Sequence, residues 1–557
     1  MSNQVAKALS EYQTARAAFL ESVRCLVAKE DGGRVKESLF DADVVGLLCR
    51  PLIQDVVPSI QIASLGTLSR VAQKSEEPSS LTKPAILDSI VASLAHQSRR
   101  VRLQANGALQ SISGRGAECA AAVHEAGALM PLLLQLEDTD DELNRTAVRT
   151  INTLTRSSHV LAMDILAPDD ARPTAALLPL LVGHLNTGST VETADALKAS
   201  IVALLADACA TGEELTSRVV AAGGLESVCR LVVRGRYASP ALLEGAFRCL
   251  QHIASYTDEL AALIVAAGVV PHAARALTHS IAFIRRSAAR LAYELSSKTR
   301  EMATCVAEDG VVCLVQALSL CEDEPADEAV PGVLALGHMA AFSERLAKMV
   351  AEASGAEALV RVLSRGGEHA PAAASWAITQ LARHGGSETG LAIARASALP
   401  ALMGVYAPTA VVLAGMGDDA DDDTVPAPLR DLHAKSLEAL QTCIAVCPES
   451  AALEPLLLPS SGAEVLAAVA KRLAQLLVES VEAKRTFITS GGLMRLQTIA
   501  RHYTPDEGAR ASRHDDDDAD AVNALSLEGM LMEDVGKINA IFPQQVVAYY
   551  HADHQAS

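Results

Sequence analysis

The sequence predicts an all-α protein that is built from one repeated helical unit, and three observations support this prediction. Hydrophobic residues make up 50% of the chain but aromatic residues only 3%, so Ala, Leu and Val must fill the core, and alanine and leucine favour helices. A short phrase ending in glycine returns along the chain at a nearly constant interval. After each return, an apolar segment is followed by a segment in which small residues recur at helical spacing.

The phrase has the form V-x-x-A-G followed by apolar residues, and its copies define a period. The clear copies surround Gly127, Gly223, Gly268, Gly310, Gly355 and Gly491, and weaker ones lie near Val44, Ala85, Ala175 and Ala398. Up to Ala398 the separations run from roughly 41 to 48 residues, a period typical of armadillo and HEAT proteins. We therefore predict an armadillo/HEAT-like, right-handed superhelical solenoid of about ten repeats, with no β-sheet.

Each helix of a repeat has its own sequence signal. The first helix ends at the phrase, because glycine just past a helix end adopts the left-handed conformation without steric cost. The second helix, such as LMPLLLQL after Gly127, is apolar on most sides and should be buried. The third, such as RRSAARLAYELSS from Arg285, carries small residues that let neighbouring helices approach closely. One repeat cannot bury these faces alone, so stacking must supply the core.

The predicted organisation follows the chain in order. Residues 1–30 form an N-terminal helix or cap, and residues 31–502 form the solenoid. An acidic, proline-bounded loop near 417–428 interrupts it. A second acidic run predicts a flexible loop over residues 503–521. Residues 522–557 form a C-terminal helix and tail. Neither acidic run has the spacing of a calcium-binding loop.

Charge and composition exclude several classes of protein. The net charge is −20, from 47 basic and 67 acidic residues, which argues against general binding of nucleic acid or anionic membranes. The long uncharged stretch 396–417 is interrupted by proline and glycine, so we expect no membrane span. The 11 cysteines include no CxxC pair and fit a reducing, cytoplasmic environment. The N-terminus has no apolar region of the kind that a signal peptide requires.

We predict no catalytic, cofactor or metal site, and hence no enzyme. The glycines of GGSETG (385–390) have phosphate-loop spacing, but Leu391 stands where the lysine is required, so this segment is predicted to be an inter-helix turn. His551 and His554 could bind a metal weakly, yet a frayed terminus is the preferred interpretation. Cys443 and Cys447 lie one helical turn apart and are interpreted as a buried stripe.

Several phrases, in chain order, resemble a known family. They are YQTARAAFLESV (12–23), DVVPSIQ (55–61), PGVLALGHMAAFSE (331–344), AAASWAITQLARH (372–384), ALEPLL (452–457), FITSGGL and FPQQVVAYY. Together they resemble the sperm-associated antigen six family, the armadillo-repeat proteins of the ciliary central pair, over nearly the whole chain. Loosely matched second to fifth repeats and three insertions indicate a divergent member or a paralogue.

The resemblance implies a non-enzymatic structural scaffold of the axoneme in cilia and flagella, a cytoskeletal location and a role in motility. It also implies contacts with tubulin in microtubules and with other axonemal proteins, and self-association. Whether the chain sits on the central pair or on the doublets is left open. The alternative is a soluble armadillo adaptor that binds extended peptide segments, as importins and catenins do.

The third helices should line the groove of the solenoid. Aligning their small residues places Arg149, Arg248, Arg290 and Trp376 in one column, with Gln380 one turn beyond. Arginine pairs well with carboxylates, so an acidic partner segment could lie there, although the arginines could equally be solvated or paired with neighbouring carboxylates. Only Trp376 and Gln380 stand where importin-like proteins carry a ladder of such pairs, which disfavours the adaptor.

A second basic group begins a predicted helix. Arg99, Arg100 and Arg102 lie close together in the sequence, and we predict that they could face a microtubule.

Overall fold

The computed structural model describes residues 2–29, 44–54, 57–74, 81–168, 173–187, 192–234, 239–322, 324–415, 426–503 and 519–552. Within these ranges every regular element is a helix, which confirms the all-α prediction. Most of both predicted acidic loops, the insertion at 169–172 and His554 lie outside them. The chain divides into two compact units, which we call unit 1 (Met1–Val269) and unit 2 (Val270–Ser557).

Unit 1 contains fifteen α-helices in its described part. They are α1 (Ser2–Lys29), α2 (Val44–Gln54), α3 (Pro58–Lys74), α4 (Pro84–Ser93), α5 (Arg99–Ser113), α6 (Ala117–Glu125), α7 (Leu129–Leu136), α8 (Asp141–Ser157), α9 (His159–Leu166), α10 (Leu177–Leu185), α11 (Glu192–Thr211), α12 (Glu213–Ala221), α13 (Gly224–Arg234), α14 (Pro240–Tyr256) and α15 (Asp258–Ala266). A 3₁₀ turn at Pro173–Ala176 precedes α10.

Unit 2 contains sixteen α-helices in its described part. They are α16 (Val270–Ala276), α17 (Ala282–Lys298), α18 (Arg300–Leu320), α19 (Val330–Phe342), α20 (Glu344–Glu352), α21 (Gly355–Ser364), α22 (Ala370–His384), α23 (Gly386–Arg395), α24 (Ala398–Gly415), α25 (Ala427–Val446), α26 (Ser450–Leu453), α27 (Ala463–Glu479), α28 (Val481–Thr489), α29 (Gly492–Tyr503), α30 (Ala519–Ile541) and α31 (Gln544–Ala552).

Most repeats have the predicted three-helix form, as α6, α7 and α8 illustrate. The third helix, α8, begins after Asp140, whose carboxylate accepts hydrogen bonds from the backbone N–H groups of Glu142 and Leu143. Such a cap satisfies donors that a helix start leaves free. The three-helix unit and its recurrence make the fold an armadillo solenoid, as the period predicts.

A pair of adjacent glycines explains the turn between the first two helices of a repeat. Gly223 has a φ of 82°, the left-handed region that glycine tolerates best. A Cβ at Gly224 would lie 2.7 Å from Val219 Cγ1 and 2.8 Å from the Val219 carbonyl oxygen. The first glycine therefore reverses the chain, and the second lets α13 begin against α12.

The turn predicted at Gly310 is wrong. α18 runs without a break from Arg300 to Leu320, so the first two helices of this repeat are one helix. Gly310 is buried, and a Cβ there would lie 3.6 Å from the Cβ of Ala274 in α16. Glycine at this point lets two helices pack closely. A turn also requires glycine, so both features give the same sequence phrase.

The third helices of successive repeats pack side by side in each unit. In unit 1 the row consists of α3, α5, α8, α11 and α14, and in unit 2 of α17, α19, α22, α25, α27 and α30. Their inward faces are completely buried, for example at Leu109, Ile151 and Leu205. Burial of one such side chain contributes about 1.5–3 kcal/mol, so the row carries much of the core.

Polar contacts that span one repeat join neighbouring loops. In unit 2 the buried Arg285 donates to the carbonyl oxygens of His279 and Ser280 and pairs with Glu324. The Asp327 carboxylate accepts hydrogen bonds from the backbone N–H groups of His369 and Ala370 at 2.9 Å. In unit 2 these contacts link successive repeats at two points.

Two described helices, α18 and α24, are long and apolar enough to cross a membrane by length and composition. Half of the apolar window of α18 and 28% of that of α24 are buried inside the protein. Both helices pack against neighbours in unit 2, α18 against α16 and α19, and α24 against α21 and α25. The absence of a membrane span remains a prediction.

Candidate partner-binding groove

In unit 1 the exposed sides of the third helices form a polar surface, and α8 provides its central residues. Arg145, Arg149 and Asn152 lie four and three residues apart, which places them on one face of α8. Opposite them stand Asp207 of α11 and Arg248 of α14. The helices that carry these residues are held by their buried sides, so the surface is positioned by the core.

Asp207 is the centre of a hydrogen-bonded network. Its carboxylate accepts a hydrogen bond from Asn152 Nδ2 at 3.0 Å and pairs with Arg248 Nη2 at 3.3 Å. Arg156 Nε lies 3.6 Å from the same carboxylate, and Arg248 Nε lies 4.0 Å from Glu244 Oε1. Arg248 thus occupies the predicted column, but one carboxylate pairs with its guanidinium at 3.3 Å and a second lies 4.0 Å away.

Arg149 differs from Arg248 because its guanidinium is exposed. No carboxylate in the described part of the chain forms an ion pair with it. Two cavities open on either side of Arg149 and Asn152, and both residues line both cavities. We call the cavity of about 490 Å³ between α5 and α8 the arginine cavity. The other, of about 780 Å³ and bordered by α8, α11 and α14, is the mixed-charge cavity.

The charges around these two cavities are unequal. The arginine cavity is lined by Arg149 and Arg156 with hydroxyl, amide and glycine groups, and its described lining contains no carboxylate. The mixed-charge cavity adds Arg145, but three carboxylates face it. They belong to Glu192, Asp195 and Glu244.

In unit 2 an aromatic cluster lies beside the predicted column. The ring of His338 on α19 lies between Tyr293 of α17 and Trp376 of α22, with centroid separations of 5.7 and 4.9 Å. Burial lowers the pKa of His338 and raises that of Tyr293, so both rings are neutral near pH 7. Arg290 is exposed nearby on α17.

Trp376 is partly exposed and packs against the preceding repeat. A Cβ at Gly337 would lie 2.9 Å from Trp376 Cε3, so the indole occupies the space that any side chain at 337 would need. Gln380 lies one turn further along α22 and is also partly exposed. Contact of these two residues with a partner remains a prediction.

The three arginines at the start of α5 differ in their contacts. Arg99 pairs with Asp140, and with Glu142 at 2.6 Å, and these hydrogen bonds raise the pKa of Arg99. Arg102 Nη2 lies 3.3 Å from Asp138 Oδ2. Arg100 is exposed. A role for this group at a microtubule remains a prediction, and two of its three charges already join adjacent repeats.

The carboxylates that bind these arginines were not predicted from the sequence, although a signal was present. Arg99 and Asp140 are 41 residues apart, and Arg285 and Glu324 are 39 apart. Both separations are close to one repeat, so a search for opposite charges one period away would have found the pairs. Within the described residues, no group of three His, Cys, Asp or Glu side chains could hold a metal ion.

The chain is similar to sperm-associated antigen 6. It is 27% identical to the human protein and 28% identical to the mouse protein, over 183 residues in each case. The match covers 33% of this chain and 28% of either relative. It is therefore shorter than the nearly full-length resemblance expected from the phrases. No family model matches the chain.

One solved structure supports the helical-repeat fold over most of the chain. The crystal structure of an engineered protein aligns over 88% of this chain and 98% of its own, with a TM-score of 0.57 and 19% identity. A designed armadillo repeat protein aligns over 44% of this chain and 98% of its own, with a TM-score of 0.39 and 22% identity. This chain thus has an armadillo-type helical-repeat fold and is similar to sperm-associated antigen 6 over part of its length.

Proposed function

We propose that this armadillo-repeat protein is a non-enzymatic scaffold of the axoneme in cilia and flagella, where it binds microtubules and other axonemal proteins and supports motility. The similarity to sperm-associated antigen 6 is the observation that supports this proposal most. The fold adds that a solenoid offers a long surface for partners and repeated local contacts. Whether the chain lies on the central pair or on the doublets depends on which axonemal proteins it binds.

The charge of the chain limits how it can bind a microtubule. Tubulin is acidic, and this chain has a net charge of −20, so long-range attraction cannot drive association. Binding must come from local groups such as Arg149, Arg290 and Arg100, which are exposed. Many weak contacts held together on a lattice can then give firm attachment, because each raises the effective concentration of the next. Self-association of the chain on the lattice would strengthen it in the same way.

The test is the distribution of the tagged full chain in ciliated cells. After the membrane is removed with detergent, an axonemal scaffold stays in the pellet with the microtubules, whereas a tagged cytoplasmic protein of similar size is released. Comparison with axonemes that lack the central pair then distinguishes the two locations. Release of the tagged chain with the soluble fraction would refute the axonemal role.

A second candidate is a soluble adaptor that binds extended peptides. The cavities beside Arg149 favour it, because they lie on the side of the solenoid where a peptide could cross successive third helices. Under this alternative the chain is released by detergent and binds peptides in solution. The two readouts separate the candidates.

A further inference from the structure

We propose that α1 is the surface through which the chain self-associates, by packing in the antiparallel direction against α1 of a second copy. This inference rests on the self-association included in the proposed function, and it names the surface and the geometry of that contact. The contact is formed by the half of α1 that the solenoid does not cover.

α1 runs over Ser2–Lys29, and only its second half is covered by the solenoid. Leu20, Val23 and Val27 are buried, and α1 packs against α3. Between residues 4 and 19 no side chain of α1 is buried. A helix of about 15 residues is marginally stable in water without tertiary contacts. A partner would therefore stabilise this half of α1.

The uncovered half carries four exposed apolar side chains on one side, which we call the apolar stripe. They are Val5, Leu9, Tyr12 and Phe19, with exposed fractions of 68, 55, 59 and 45%. Residues three, four and seven positions apart lie on the same side of a helix. Val23 continues this spacing and is buried. The apolar stripe therefore extends the face with which α1 already packs against the solenoid.

A second copy of α1 fits the apolar stripe because the residues beside the stripe are small or uncharged. Gln4, Ala8 and Ala15 lie along one side of it, and Ala6 and Gln13 along the other. Two such helices can approach closely, and no like charges oppose each other beside the contact. An identical helix also presents an apolar stripe of the same length, so each copy covers the stripe of the other.

Arg16 determines the direction of the pair. It stands at the stripe position between Tyr12 and Phe19, and its guanidinium carbon lies 5.4 Å from the centre of the Tyr12 ring. In a parallel pair in register, two Arg16 side chains would face each other and repel. In an antiparallel pair Leu9 faces Tyr12 of the second copy, and Arg16 faces Val5. The antiparallel pair therefore keeps the two cations apart.

The size of the contact predicts a weak dimer. An aromatic side chain buries about 150–250 Å² when it is fully covered, and the side chains of the apolar stripe are roughly half covered already. Covering the rest of the four side chains removes on the order of 400 Å² of surface per copy. A total of about 800 Å² lies below the roughly 1,200–2,000 Å² of stable complexes. The dimer should therefore depend on concentration and gain strength where copies are held close on a lattice.

The experiment is sedimentation equilibrium of the full chain over a range of micromolar concentrations. We expect a monomer–dimer equilibrium with a dissociation constant in the micromolar range. Leu9→Glu and Tyr12→Lys should each weaken dimerisation about tenfold or more, because each variant places two charges in an apolar contact. Circular dichroism should show unchanged helix content in both variants, because both residues are exposed.

An equimolar mixture of the two variants tests the direction of the pair. In the antiparallel dimer the introduced carboxylate of one variant faces the introduced ammonium of the other, and the remaining Leu9 faces the remaining Tyr12. The mixture should therefore dimerise about as well as the parent chain, whereas a parallel pair would not recover. Val160→Glu is the matched control, because Val160 on α9 is 72% exposed in the same unit, and this variant should dimerise as the parent chain does.

Four results would overturn the inference. They are a monomer at every concentration, a dimer that survives Leu9→Glu, a mixture that dimerises no better than its components, and an equal loss with Val160→Glu. If the chain is a monomer but stays in the axonemal pellet, the inference fails and the proposed axonemal role stands. If α1 pairs as expected but detergent releases the chain, the axonemal role fails and the α1 contact stands.

Discussion

Replacement of Gly337 by alanine should destabilise unit 2, because the indole of Trp376 fills the space of the missing side chain. A Cβ at this position would lie 2.9 Å from Trp376 Cε3 and 3.1 Å from the Cα of Ala377. Both distances are too short, and the second involves backbone that cannot turn away. Overpacking of this kind costs about 1–3 kcal/mol, while alanine in a helix gains about 0.5–1 kcal/mol over glycine. The two ranges together give an expected net loss of up to about 2.5 kcal/mol.

The assay uses the emission of Trp376, the one tryptophan of the chain, during urea unfolding. This signal reports the stability of the repeats around α19 and α22. Gly337→Ala should lower the urea midpoint. It should also increase quenching by acrylamide in the native state, because the ring must move outward.

Gly404→Ala is the matched control, because Gly404 also lies inside a helix of unit 2 and a Cβ there would meet no atom within 4 Å. This change should stabilise by up to about 1 kcal/mol. The two glycine-to-alanine changes therefore have opposite signs. Equal midpoints for the two variants, or a gain of stability with Gly337→Ala, would refute the packing argument.

Three further predictions concern charge and thiol chemistry. Asp327→Ala should lower stability by about 1–2 kcal/mol at pH 7 through loss of the cap on α22. Burial opposes ionisation of Asp327, but three backbone N–H donors outweigh it and lower its pKa. The difference in stability between the variant and the parent chain should therefore shrink as the pH falls below about 4. A difference in urea midpoint that does not change with pH would contradict this. Arg248→Ala should weaken axonemal retention only modestly, by about 1 kcal/mol or less, because Asp207 already balances this charge; complete release in the pelleting assay would disprove it. Iodoacetamide at pH 8 should alkylate the exposed Cys25 well before Cys229, whose pKa burial raises to about 12, and equal rates by mass spectrometry would argue against that burial.

The class of fold was predictable because composition and period both report it directly. Few folds besides a helical solenoid combine alanine- and leucine-rich helices with a glycine that recurs at positions such as Gly223. Gly310 is the exception, because the phrase is present there without a turn. A glycine is needed both where a chain reverses and where two helices touch, and one sequence phrase serves both needs. Only the packing of α16 against α18 decides between them.

The groove was predictable in position but not in chemistry. Arg149 and Arg248 occupy equivalent places in the repeat, so the sequence treats them alike. Their environments differ because Asp207 and Glu244 stand beside Arg248 while no described carboxylate reaches Arg149. Such differences depend on side-chain contacts between third helices of neighbouring repeats, which no local pattern encodes.

The contacts that join a loop to the next repeat also bear on how the repeats respond to a pulling force. Asp327 and His369 are 42 residues apart, and Arg99 and Asp140 are 41 apart, so each such link spans about one repeat. Drawn out fully, a repeat of this size yields roughly 140–150 Å of chain. Within a unit we expect tension to be released in steps of about one repeat, starting from the loaded end. Under load, such a protein would lengthen repeat by repeat and would not unfold in a single step.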